Sequence, residues 1–353
     1  MRILGIETSC DETAAAVVED GSRLLSNSVT SSVDLHAAFG GVVPEIAARS
    51  HIESILPVVE EALKTAKAGW PDIDAVAVTQ GPGLGGSLLI GVLTARTLAI
   101  AKNKPLYAVN HVEAHVYANF ITSTSLPDYQ MPKTAPDFPL LALIVSGGHT
   151  QLVLFKNHFD YQVLGQTADD AVGEAFDKVA KILGLPYPGG PSIAKAASSG
   201  NPKAIKLPKA RMAGKYDFSF SGLKTAVLRA AQQMAGRDYT LPSSELPKLL
   251  GQVQKNDIAA SFQRVAIETL VDSLAEAVAE FQPQSVAIGG GVAASQELRA
   301  QIKKGLKTEA NYPDIKLCTD NAAMIAAQGY YQASKKRPAA GPYSLEIYPG
   351  LSM

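Results

Sequence analysis

Arg2 to Ile6 is a short apolar run that predicts a buried strand; after the polar stretch Glu7 to Thr13, Ala14 to Val18 predicts its return as a hairpin. Helical spacing follows from Pro44 to Lys67, with proline suited to the first turn. Asp74 to Thr79 alternates as a strand, and Gln80 to Ser87 is a Gly-rich loop opening an apolar helix to about Ala101. Such a loop cradles an anion with free N–H groups, or it serves as a tight turn under a closely packed helix. Leu106 to Val109 is the next strand, and Ile121 to Pro139, rich in Ser, Thr and Pro, is an interdomain linker.

The order then recurs. Leu140 to Val145 and Gln151 to Phe155 predict a second hairpin with the tip Ser146 to Thr150. Ser285 to Ile288, Gly289 to Gly291 and Ser295 to Lys304 repeat the strand, Gly loop and helix. The pattern describes a duplicated α/β chain whose hairpin tips face each other across a nucleotide-binding cleft. Expected bounds are an N-terminal domain over 1–135, a C-terminal domain over 136–334 with its closing helix (Ala322 to Ser334) turning back, and a loosely held tail over 335–353. Asn256 to Glu280 is a long amphipathic scaffold helix.

With 353 residues, 46% hydrophobic and 18% charged, the chain can bury sizeable cores. Its net charge of −1 gives no whole-molecule attraction to nucleic acid. A local patch is available in Lys195, Lys203, Lys206, Lys209, Arg211 and Lys215, a run without an acidic residue. Cys10 and Cys318 are too few for a disulfide framework and point to a reducing cytoplasm. The start lacks a signal-peptide shape, and Ser87 to Ala101 is short for a membrane span.

The sharpest chemistry lies in Asn110 to His115. Histidines at 111 and 115 stand about 40° apart on a helix and can grip one metal, whereas Glu113 points about 200° from His111. The spacing is not the H-E-x-x-H of zinc peptidases. Asp320 is the candidate third ligand, and two histidines with a carboxylate leave coordination positions open. The alternative is a pair of helix-surface histidines without a metal. Asp169 and Asp170 open a helix, Asp177 lies further along it, and Lys224 is placed for an anion. Tyr187 to Pro191 is a rigid turn whose glycines let backbone approach a ligand.

Seven segments in order resemble the TsaD family of bacterial tRNA threonylcarbamoyladenosine transferases, members of the actin-like, sugar-kinase superfamily. They are Gly5 to Thr13, Asn110 to His115, Val145 to Thr150, Gly173 to Lys178, Phe218 to Thr225, Gly290 to Val292 and Cys318 to Asn321. The resemblance implies two actin-like (RNase H-like) domains, with iron, or zinc as the alternative, on His111, His115 and Asp320. It implies that Ile144, Val145, Ser146, Gly147 and Gly148 line the phosphates and threonylcarbamoyl group, and that Asp177 and Gly190 contact the nucleotide. Ser295 stands where the family commonly has Asn, and Ala322 where it has Gly. The implied reaction moves threonylcarbamoyl from its adenylate to N6 of adenosine 37 in tRNAs reading codons that begin with A. The implied partners are a TsaB-like paralogue and a TsaE-like ATPase, in the cytoplasm and without a membrane. Asp11 or Glu12, at the first hairpin tip, is the candidate base for the adenine amine or its orienter, the alternative being that Asp11 only organises the hairpin. The rival readings are a small-molecule kinase or carbamoyltransferase of the same fold, a metalloendopeptidase, and a non-catalytic nucleotide-binding scaffold.

Overall fold

The computed structural model describes residues 1–210 and 212–353. By its contacts the chain divides into two compact units. The first comprises Met1–Asp137, Ala287–Gly290 and Asn311–Met353; the second comprises Phe138–Val286 and Gly291–Ala310.

In the first unit the chain runs β1 (Arg2–Glu7), β2 (Glu12–Glu19), β3 (Arg23–Ser31), α1 (Val33–Ala37) and α2 (Pro44–Thr65). It continues through β4 (Ala75–Gly81), α3 (Gly85–Lys102), β5 (Leu106–Asn110), α4 (His111–Tyr117) and β6 (Ser123–Thr124). Beyond Asp137 follow β7 (Leu140–Val145), β8 (Thr150–Asn157), β9 (Asp160–Gln166), α5 (Val172–Leu183) and α6 (Gly189–Ala197). Then come α7 (Ser221–Met234), α8 (Leu246–Leu249), α9 (Gln252–Phe281), β10 (Ser285–Gly289), α10 (Gln296–Gly305), β11 (Ala310–Asn311) and α11 (Ala322–Ser334). The two sheets have the orders β5-β4-β1-β2-β3-β6 and β11-β10-β7-β8-β9. In each, an antiparallel three-stranded meander is extended beyond its first strand by two later strands, β4 and β5 or β10 and β11, and in the first sheet the short β6 also adds beside β3. This shared order is the duplication expected from the sequence, realised as two actin-like α/β units.

Sheet faces in the first unit are covered by helices, which is why β1 and β4 read as continuous apolar runs. One face carries α2 and α3, where Leu4, Ile6, Val76 and Val78 meet Ile55, Val59, Val92 and Ala95 in a single core. The other carries α11. Its small residues matter: a Cβ on Gly5 would strike Ala322 O, and one on Gly329 would lie 2.6 Å from Ala77 Cβ. In the second unit α9 is the long helix, packed against α6, α7 and α10.

Two expectations change and a third narrows. At 18 residues with a mean hydropathy of 1.2, α3 has the length and apolarity of a membrane-crossing helix. Its Leu88, Val92, Ala95 and Ala99 are buried in the first unit. Of the two readings of the Gly-rich loop before it, the tight turn is favoured, because Gly83 N donates to Pro349 O and Leu84 N to Ser9 O. Close packing explains its glycines: a Cβ on Gly83 would sit 2.6 Å from Ser9 O. The tail is not loose. Ala340 N donates to Leu106 O, Tyr348 N to Gln80 O and Asn110 Nδ2 to Ser352 O, while Arg96 binds the carbonyls of Pro342 and Tyr343 at 2.7 Å each. Leu345 joins the core.

Candidate metal centre and nucleotide-binding elements

β5 passes into α4 without a loop because Asn110 caps the helix, its Oδ1 accepting from Val112 N at 2.9 Å and Glu113 N at 3.1 Å. His111 therefore occupies the first helical position and His115 lies one turn on. Both are buried, with ring centroids 4.8 Å apart. Asp320 approaches from the loop before α11, where Asn321 accepts from Met324 N and donates to the carbonyls of Leu317 and Thr319. Nε2 of each histidine lies 3.4 Å from Asp320 Oδ1, and one ligand atom from each residue falls within 4.8 Å of the others.

Both ring nitrogens of His115 are buried without a hydrogen-bond partner among the described residues. Burying such donors and acceptors unpaired costs about 1–3 kcal/mol each. Nitrogen lone pairs and a carboxylate converging on one point fit a transition metal, which would relieve that cost. Burial holds the His115 ring below the ordinary imidazole range, in the neutral form a metal requires.

Glu7, which the sequence pattern leaves among the hairpin polar residues, completes the centre from behind. It is fully buried at the end of β1 and accepts from Thr79 Oγ1 at 2.6 Å and Ser9 N at 2.5 Å. Its Oε2 is 3.0 Å from His111 Nδ1. A carboxylate there keeps the proton on Nδ1 and aims the Nε2 lone pair at the ligand cluster. Burial raises the Glu7 carboxyl, but the charge and hydrogen bond of His111 outweigh it and hold it below the usual range. His111 is raised: burial opposes its charging, and Asp320 and Glu7 prevail. The segment holds three acidic residues, Glu7, Asp11 and Glu12, and no linear signal singles out Glu7 among them.

Asp11 and Glu12 stand at the β1–β2 tip. Burial first, then the charges of Asp320 and Asp11, push the Glu12 carboxyl up to about 9. His51 fastens the tip, its ring nitrogens 2.8 Å from Thr13 Oγ1 and 3.0 Å from Cys10 O. Gly289 in β10 lets that strand lie against α4, since a Cβ there would be 2.7 Å from His115 O.

In the second unit, Ile144 and Val145 are buried strand residues paired with Gln151 and Thr150, so their side chains belong to the core. Ser146, Gly147 and Gly148 form the tip, closed by Ser146 N to His149 O at 2.8 Å, and both glycines face open space. α5 begins directly beneath: Gly173 N donates to Ser146 O, and a Cβ on Gly173 would be 2.6 Å from that oxygen. Asp177 on α5 accepts from Gly189 N at 2.7 Å, which fixes the start of α6 and brings Gly190, also open, beside it. The turn before α10 touches α5 and β7, but Ser295 Oγ accepts from Leu298 N as the helix cap. Lys224 is no free anion site, because it shares Asp170 with Lys178 at 2.7 Å each.

The family description tRNA N6-adenosine threonylcarbamoyltransferase, TsaD, matches residues 23–327. The chain belongs to the TsaD family. It is 52% identical over 343 residues to the tRNA N6-adenosine threonylcarbamoyltransferase of Thermomicrobium roseum, covering 95% of this chain and 93% of that relative. To the enzyme of the same name from Symbiobacterium thermophilum it is 51% identical, covering 93% and 91%. Among solved structures, Acidaminococcus fermentans (R)-2-hydroxyglutaryl-CoA dehydratase component A superposes with a TM-score of 0.50. At 16% identity over 95% of this chain and 99% of that one, it shares the fold alone. TsaD membership replaces the kinase, peptidase and scaffold readings. Glu113, the residue a peptidase reading would want as base, is buried on the far side of α4 from the ligand cluster and raised to about 7 by burial.

Proposed function

We propose that this TsaD-family chain transfers the threonylcarbamoyl group from threonylcarbamoyl-adenylate to N6 of adenosine 37 in tRNAs reading codons that begin with A. Family membership at about half identity over nearly the whole chain carries this reading. The adenine amine attacks the carbamoyl carbonyl carbon; a C–N bond forms, the C–O bond to phosphate breaks, and AMP leaves with the electron pair. The amine surrenders one proton.

His111, His115 and Asp320 would hold one divalent metal, iron by preference and zinc as the alternative. Bound there, it would supply Lewis-acid polarisation to a carbonyl or phosphate oxygen. Glu7 orients His111 for that ligation. The amides of Gly147 and Gly148 hold phosphate oxygens on an open tip, the Ser146 N–H being already donated to His149 O, while Asp177 and Gly190 meet the nucleoside. Asp11, at the first hairpin tip, takes the amine proton, with Glu12 beside it.

A TsaB-like paralogue would cover the apolar positions that α2 and α3 leave exposed, Ile52, Leu56, Leu89 and Leu93, and a TsaE-like ATPase would join the assembly. Working on tRNA places the protein in the cytoplasm. The test is transfer of label from threonylcarbamoyl-adenylate to an unmodified tRNA that reads an A-initial codon, with both partner subunits present. Labelled tRNA is the expected result; unlabelled tRNA in the complete assembly overturns the assignment.

A further inference from the structure

The basic run between Lys195 and Lys215 divides sharply in the structure. Lys209 is spent on Glu268 and Asp272, and Lys215 on Glu276 and Glu280, all from α9. Arg211 lies outside the described residues. Lys206 makes no ion pair among the described residues, and it borders a cavity of about 670 Å³ between the 205–208 segment and α7. Among the described residues, Lys206 and Arg229 are the only charged ones lining it. Its remaining wall is apolar (Leu207, Pro208, Ala226 and Ala230) or neutral and polar, as at Thr225.

A second observation comes from the loop after α7. Tyr239 is 65% exposed, and the Arg229 guanidinium sits 5.7 Å from its ring centroid. That loop is built to hold its shape. Gln232, buried beneath it, donates to the carbonyls of Tyr239 and Leu241 at 3.3 and 2.8 Å. The neighbouring carboxylate in sequence, Asp238, is turned to the N–H and hydroxyl of Thr240. Asp169, before α5, is likewise turned to Phe220 N, Ser221 N and Ser219 Oγ.

A cavity whose charged lining among the described residues is Lys206 and Arg229, with the Arg229 guanidinium also near the exposed Tyr239 ring, suits an unpaired nucleotide. The phosphate goes to Lys206 and Arg229, and the base goes to the ring and the apolar wall. We propose that this cavity seats one unstacked nucleotide of the bound tRNA, separate from the adenosine that is modified. The inference rests on the transferase reading, which supplies tRNA as the polyanion.

The experiment measures tRNA affinity of the assembly with its partner subunits over a range of salt, alongside threonylcarbamoyl-adenylate affinity. Wild type is compared with the double variant Lys206→Glu/Arg229→Glu, with Thr225→Trp to fill the cavity, and with Tyr239→Ala. Lys303→Glu, on α10, controls for charge. The double variant should weaken tRNA binding at least about tenfold and lower the log–log salt slope by about one for each phosphate that is no longer neutralised. Thr225→Trp and Tyr239→Ala should weaken it about tenfold with the slope unchanged, as removing one stacked base does. Adenylate affinity should not move in any variant. Variants that bind tRNA like wild type, or a double variant no worse than Lys303→Glu, overturn the cavity while leaving the transferase reading in place. A wild-type assembly that binds no tRNA overturns both.

Discussion

Glu7 and Asp11 belong to one short segment and do different work. Glu7 is buried, receives two hydrogen bonds from Thr79 and Ser9, and faces His111 Nδ1, so its carboxylate sets the tautomer of His111. Glu7→Gln should keep the fold and lower metal affinity about 10- to 100-fold, as losing a ligand's outer partner does, read by chelator competition. Unchanged affinity would remove Glu7 from the centre. Asp11→Ala should lower kcat about 10²- to 10⁴-fold with adenylate affinity intact, whereas Glu12→Gln should stay within a few-fold of wild type if Asp11 is the base. The reverse order in single-turnover rates would make Glu12 the base. The His111–His115 pair was legible because two histidines four apart share a helix face. Glu7 was not, because nothing in a linear pattern says which of Glu7, Asp11 and Glu12 turns inward.

At the scale of elements, ion pairs and backbone hydrogen bonds hold the functional loops. Asp170 joins α5 to α7 through Lys178 and Lys224. Burial raises its carboxyl, but the hydrogen bonds and charges of both lysines outweigh it and hold it below the ordinary aspartate value. A lowered carboxyl contributes stability above its unfolded pKa and loses it as pH falls through the folded one. Asp170→Asn should therefore cost about 1–2 kcal/mol at neutral pH and narrow to nothing in acid below that folded value, followed by denaturant melts across pH. A gap that persists there would assign the loss to packing. Leu345→Ala in the tail should cost about 2–3 kcal/mol, since Leu345 is 8% exposed against the first-unit core. A loss within experimental error would return the tail to the surface. The tail and β3 share a reason for escaping a reading of the sequence. Residues 335–353 show no period, and their backbone bonds go to Leu106, Gln80 and Gly83, far away in the chain. β3 carries Ser, Asn and Thr over Ser26 to Ser31, running from buried to exposed, and so shows neither an apolar run nor a clean alternation.

At the scale of the whole molecule, the duplication was legible because β1 and β7 are each continuous apolar runs followed by a polar tip and a returning strand. In the first unit, helices covering both sheet faces make that run continuous. Bounds were less legible. The chain from Asn311 onward packs with the first unit, so Asp320 meets histidines about two hundred residues earlier, a juxtaposition only the closed fold creates. On the proposed reading, metal binding and transfer would both depend on that meeting. The most direct test is metal content and threonylcarbamoyl transfer to tRNA, measured together on the wild-type assembly and on one carrying His115→Ala. One tightly held metal per chain in wild type, with metal and labelled tRNA both lost in the variant, is the predicted result. Full transfer by a His115→Ala protein that holds no metal would contradict it.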